Sequence, residues 1–147
     1  MTHHAVRPIL LSIFLVCAPA LASVALAAEP AAVKVDLSDK GGKDRIILST
    51  AKVKAGGVEF EIKNSSADQL HEFLITPWKG AITALPYNDS KGQVVEDKLS
   101  QLAGVEDMKP GAEATLRLPL KAGKYVVFCN QPGHYKLGMV ARFTATR

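Results

Sequence analysis

The chain has 147 residues, of which 48% are hydrophobic and 22% are charged. This length suits a single domain, and the composition excludes a disordered chain and a disulfide-rich scaffold. The formal net charge is +4. No run of Lys and Arg exceeds two residues, so the sequence does not indicate a nucleic-acid-binding protein.

Residues 1–27 have the pattern of a secretory signal peptide. Arg7 gives a basic start, Ile9–Val16 is apolar apart from one serine, and Ala25-Leu26-Ala27 supplies the small residues of a cleavage site. A membrane anchor is the alternative, but Pro19 interrupts the apolar stretch and no basic cluster follows it. We therefore expect cleavage after residue 27, export to the periplasm or another exported location, and a single domain over residues 28–147.

The exported part reads as a series of short β-strands. In Val58–Lys63, apolar and charged residues alternate, which is typical of a half-buried strand. Gly, Pro and Asn turns separate this segment from similar ones. The others are Val33–Leu37, Arg45–Ser49, Leu70–Ile75, Thr115–Leu120, Tyr125–Cys129 and Met139–Thr144. The pattern predicts an all-β Greek-key sandwich or barrel. Residues 77–107 form one long connection in this prediction, with room for a short helix over Val94–Leu102.

One C-terminal loop concentrates the reactive side chains. Cys129, His134 and Met139 are spaced C-x4-H-x4-M, and Pro132, Gly133 and Gly138 allow tight bends between them. Without residues 1–27, Cys129 has no cysteine partner in the chain. A lone cysteine of this kind is buried and inert, paired between chains, catalytic or bound to a metal.

A fourth donor comes from upstream. His71 is the one histidine outside residues 1–27 other than His134, and it lies on the inward face of a predicted strand. A thiolate, two imidazoles and a thioether form the donor set of an electron-transfer copper site. Zinc would bind the same set, but a thioether is a poor zinc ligand. We therefore predict that His71, Cys129, His134 and Met139 bind one copper ion that cycles between Cu(I) and Cu(II).

These residues resemble the ligands of the blue copper proteins of the cupredoxin family. The C-x4-H-x4-M spacing is similar to that of rusticyanin and auracyanin. The resemblance implies a cupredoxin-type fold and histidines that coordinate through Nδ1. It also implies a partly exposed His134 at which redox partners dock, either a cytochrome or a copper enzyme.

Glu72 departs from the family pattern, because many relatives carry Asn, Ser or Thr after the upstream histidine. We expect the Glu72 carboxylate to accept hydrogen bonds from the Cys129–Pro132 loop, with Asn130 as a donor, and so to support the metal ligands. Tyr135 and Leu137 flank the His134 loop, and two interpretations are open for them: an apolar docking patch beside His134, or ordinary packing within the loop.

Two functions remain open. The first is electron transfer between exported redox proteins, and the second is copper buffering, delivery or resistance. The lack of Met-rich or His-rich tracts favours electron transfer. An enzyme is not expected, because residues 28–147 contain too few histidines for further copper centres. We expect a monomer that neither spans a membrane after cleavage nor binds nucleic acid.

Overall fold

The computed structural model describes residues Glu29–Arg147. The predicted signal peptide and its cleavage site lie outside the described residues. No helix among residues 29–147 is both long and apolar enough to cross a membrane.

Nearly all the regular secondary structure of the described residues is β-strand. Its one helical element is the short 3₁₀ turn Glu96–Lys98. The strands, numbered β1 to β11 in chain order, are Ala31–Ser38, Arg45–Leu48, Lys52–Lys54, Gly56–Asn64, His71–Pro77, Tyr87–Asn88, Gln93–Val94, Ala103–Met108, Glu113–Leu120, Gly123–Phe128 and Val140–Thr146.

Two sheets face each other in a sandwich. One has the strand order β2-β1-β4-β9 and the other β3-β11-β10-β5-β8. β1 pairs in parallel with β4, and β3 pairs in parallel with β11, while the other pairs in both sheets are antiparallel. The predicted all-β sandwich is confirmed.

The core between the sheets is made of inward-facing side chains from both. Phe60 of β4 contacts Phe73 of β5 and Phe143 of β11, with ring centroids 5.1 Å and 5.3 Å apart. All three side chains are fully buried. Because successive residues of a strand point to opposite faces, Leu74 leaves this core and joins a second apolar cluster on the other side of its sheet.

The predicted connection over residues 77–107 needs correction. β8 occupies its last part and pairs with β5 along the sandwich edge. The region predicted to allow a helix, Val94–Leu102, contains only the 3₁₀ turn. β8 was not predicted from the sequence because a bulge interrupts the alternation of its apolar residues. Val105 and Met108 are three residues apart in β8, yet they lie opposite Phe73 and His71, which are two residues apart in β5.

The connection covers the outer face of the five-stranded sheet. Its short ribbon, β6 with β7, ends in a turn against the C-terminal loop, where the Gly133 N–H donates to the Gly92 carbonyl at 2.8 Å. Leu85 and Val94 of the connection are buried in the second apolar cluster. The connection therefore supports the loop that carries most of the predicted metal ligands.

Candidate metal centre

Strand order places the predicted ligands at one end of the sandwich. His71 is the first residue of β5, and Cys129 directly follows β10. These strands are antiparallel neighbours with Phe128 opposite Leu74, so the two ligand side chains meet at the same sheet end. The loop over residues 129–139 then returns the chain to β11.

Three donor atoms converge here. The Nδ1 atoms of His71 and His134 are 3.2 Å apart, and Cys129 Sγ lies 3.5 Å from His134 Nδ1. The donor atoms of all three residues lie within 4.8 Å of one another. His71 and Cys129 are fully buried, whereas His134 is partly exposed.

Met139 closes the same loop. Its N–H donates to the His134 carbonyl at 3.0 Å, and its carbonyl accepts from the Cys129 N–H at 3.0 Å. The side chain is fully buried in the same core cluster as Cys129. These backbone bonds hold the three loop residues in a fixed arrangement.

The spacing of the donor atoms fits a bound metal ion. A first-row metal such as zinc forms bonds of about 2.0 Å to imidazole nitrogen and about 2.3 Å to thiolate sulfur. At bond angles near 110°, two such nitrogens lie roughly 3.3 Å apart, and a nitrogen and a sulfur roughly 3.5 Å apart. The observed separations agree with both values. The other ring nitrogen of His71, Nε2, is buried without a protein hydrogen-bond partner, so no hydrogen bond on that side orients the ring.

Burial favours the uncharged forms of Cys129 and His71 in the absence of a metal. It raises the pKa of the Cys129 thiol from 9.0 to about 12, although backbone N–H groups of Gln131 and Glu72 that point at the sulfur oppose the shift. Burial, and then the proximity of His134, lowers the pKa of His71. A metal ion that binds here must therefore displace the thiol proton.

Glu72 is buried against the ligand loop. Its N–H donates to Cys129 Sγ at 3.3 Å, and its carboxylate accepts from Gln131 Nε2 at 2.7 Å. The same Gln131 amide reaches Asp107 Oδ1 at 3.1 Å. Burial raises the pKa of Glu72, with the Gln131 hydrogen bond acting in the opposite direction. Glu72 and Gln131 thus both point a backbone N–H at the sulfur and are joined to each other through their side chains.

Asn130 donates to the Glu72 carboxylate through its backbone N–H, whereas its side chain has other partners. Its amide oxygen accepts from the Val94 N–H at 2.6 Å, and its Nδ2 donates to the Val94 carbonyl and to Glu96 Oε1. The Asn130 side chain therefore fastens the ribbon to the ligand loop. The side-chain donor to Glu72 is Gln131, a residue that no sequence pattern marks.

The proposed apolar patch beside His134 is smaller than expected. Leu137 is 70% exposed, but Tyr135 is 3% exposed. The Tyr135 hydroxyl donates to the Ile82 carbonyl at 2.7 Å and accepts from the Leu85 N–H at 3.0 Å. Tyr135 therefore anchors the long connection and is not part of the surface.

Comparison with known proteins identifies the fold. No protein-family model and no curated protein matches the chain. Reduced auracyanin from the photosynthetic bacterium Roseiflexus castenholzii superposes with a TM-score of 0.59 at 19% identity, over 82% of this chain and 99% of that one. Rusticyanin from Thiobacillus ferrooxidans gives a TM-score of 0.64 at 19% identity, over 82% of this chain and 79% of that one.

The chain therefore has the cupredoxin fold. In that fold, two imidazoles, one thiolate and one thioether are the donors of a type 1 copper site. The C-x4-H-x4-M loop and His71 place this donor set at one end of the sandwich.

Proposed function

We propose that this protein carries single electrons on one copper ion held by His71, Cys129, His134 and Met139. The observation that carries the proposal is the convergence of two imidazoles on a buried cysteine, with one imidazole partly exposed. Copper supplies the redox chemistry by cycling between Cu(I) and Cu(II). The protein supplies a donor arrangement held by two sheets and by the backbone bonds of the loop.

The buried and the partly exposed ligands have different roles. His71 and Cys129 are shielded from water, so the buried donors stay in place when the charge of the site changes. His134 is the partly exposed donor and gives the electron its path to a partner. We propose that a cytochrome or a copper enzyme docks there, next to the exposed Leu137.

No enzymatic activity is proposed. Four protein donors on one ion leave no open coordination position of the kind that catalytic metal sites keep for a substrate.

We also propose that the protein is exported. The pattern of residues 1–27 supports this location.

The first test is a visible spectrum after addition of Cu(II). A thiolate–copper site gives an intense band that ascorbate bleaches and an oxidant restores. Cys129→Ser is expected to abolish the band. A Cys129→Ser variant that kept the colour would contradict the proposed ligand set.

Copper handling is distinguished by how firmly the metal is held. An electron carrier keeps its copper through repeated reduction and oxidation in the presence of a Cu(I) chelator. Transfer of the metal to the chelator on the first reduction would favour a role in copper buffering, delivery or resistance.

A further inference from the structure

The end of the sandwich opposite the metal centre is strongly basic. Six exposed cationic residues lie at strand ends or turns on this side. They are Lys52, Lys54, Lys79, Lys121, Lys124 and Arg147. Strand pairing brings them together, since Lys52 and Lys124 both lie opposite Thr144 and Lys54 lies opposite Thr146. We call this surface the basic end.

Acidic residues are nearly absent from the basic end within the part of the chain that the structure describes. Glu29, just before β1, is the one acidic side chain there among the described residues. The nearest acidic residue on a strand, Glu59, is paired with Arg117. The loops at the opposite end carry both signs, as in Asp39, Lys40, Lys43 and Asp44 between β1 and β2. The positive charge is therefore concentrated at one end.

The basic end is too far from the metal centre to serve electron transfer directly. β5 runs the full height of the sandwich, from His71 to Pro77 over seven residues. At about 3.3 Å per residue, this separates the two ends by roughly 20 Å. A redox partner bound at the basic end would not contact His134.

We propose that the basic end binds the surface of a membrane rich in anionic lipid headgroups, leaving His134 free for redox partners. Its cations come from separate segments at a sandwich end, so a broad anionic surface contacts them together. Nucleic acid is a poorer match, because single strands stack on exposed aromatic rings, and at this end Tyr125 is buried and Trp78 is half-buried.

The test compares two full-chain variants of equal charge. One is Lys52→Gln/Lys54→Gln/Lys121→Gln/Lys124→Gln at the basic end. The control is Lys40→Gln/Lys43→Gln/Lys91→Gln/Lys109→Gln, which removes the same charge from exposed positions elsewhere. Both retain residues 1–28, so any contribution of that segment is common to both. Circular dichroism checks that each variant folds.

Binding is measured on vesicles of equal parts phosphatidylglycerol and phosphatidylcholine. The basic-end variant is expected to bind at least about tenfold more weakly than the parent, while the control stays within about twofold of it. Added salt is expected to weaken the parent's binding. Equal losses in both variants would overturn the proposal, because total charge and not the basic end would then control binding. Equal affinity of the parent for duplex DNA would also overturn it.

Acetylation of lysines on the parent protein gives an independent readout of orientation. With the mixed vesicles present, Lys52, Lys121 and Lys124 are expected to be protected, whereas Lys40 and Lys109 react as they do in solution. Uniform protection, or none, would overturn the proposal. Neither experiment depends on copper, so a failure here is distinct from a failure of the proposed electron-transfer role.

Discussion

Cys129 combines two properties that conflict until a metal binds. Its side chain is fully buried, which raises the pKa of the thiol to about 12, yet a copper ligand must be a thiolate. The charge of the metal and the N–H groups of Glu72 and Gln131 compensate for the burial once the ion is bound. The metal-free protein holds the proton instead.

Because the folded protein retains this proton, we predict that the metal-free protein becomes less stable at alkaline pH. The unfolded thiol loses its proton near pH 9, whereas the folded one keeps it to about pH 12. Rising pH therefore favours the unfolded state between these values. We expect the free energy of unfolding to fall over this range in urea titrations, and to fall less for Cys129→Ser. Parallel curves for the two proteins would contradict the prediction.

Gln131 is expected to tune the redox centre without binding the metal. Gln131→Met removes the side-chain link to Glu72 and Asp107 and loosens the two N–H groups that point at the sulfur. These bonds stabilise the more negative reduced state, so we expect a lower reduction potential and a shifted visible band, with copper retained. Gln101→Met, at an exposed position near the other end of β8, is the control. Matching potentials in the two variants would exclude this role.

The donor set could be read from the sequence, but its supporting contacts could not. Cys129, His134 and Met139 are chemically distinctive residue types in one bent loop, and His71 was the single remaining histidine. Gln131 carries no such signal. Its partners depend on where Glu72 is buried and on the bulge in β8, which places Asp107 at a φ of 49° and within reach of the ligand loop.

At the scale of elements, the long connection is held down by specific polar contacts as well as by apolar burial. Tyr135 binds it at two backbone positions, and Asn130 binds the ribbon at Val94.

Strands in which apolar and polar residues alternate regularly, such as β4, were predictable from the sequence. β3, with only three residues, and the bulged β8 were not, because neither sustains a period of two.

Tyr135→Phe is expected to destabilise the fold through this connection. The change leaves the Leu85 N–H buried without an acceptor, at a cost of about 1–3 kcal/mol. Tyr125→Phe is the matched control. It removes one hydrogen bond, to the Lys121 carbonyl, and leaves no buried donor without an acceptor. Urea unfolding at neutral pH measures both. A larger loss for Tyr125→Phe would contradict this account of the connection.

At the scale of the whole molecule, the metal centre links β5, β10 and the loop that leads into β11 at one end of the sandwich. Copper is therefore expected to bind only the native protein with full affinity and to raise its unfolding temperature. Differential scanning calorimetry with and without Cu(II) measures the rise. His71→Ala is expected to lose most of it, because β5 would then contribute no donor. An unchanged rise in His71→Ala would show that the upstream ligand lies elsewhere.

Because β3 pairs with β11, the last strand, this part of the sheet can form only after the chain has been synthesised almost to its end. Lys52 and Thr144 are register partners, although nearly the whole domain separates them along the chain. Contacts of such long sequence separation slow folding. The loop over residues 129–139 is closed by backbone bonds that need β11 in place, so a nascent chain that has emerged only as far as β10 has no complete metal centre. The arrangement that brings all four donors together therefore exists only after β11 has paired, and a chain that crosses a membrane unfolded would complete this arrangement only after crossing.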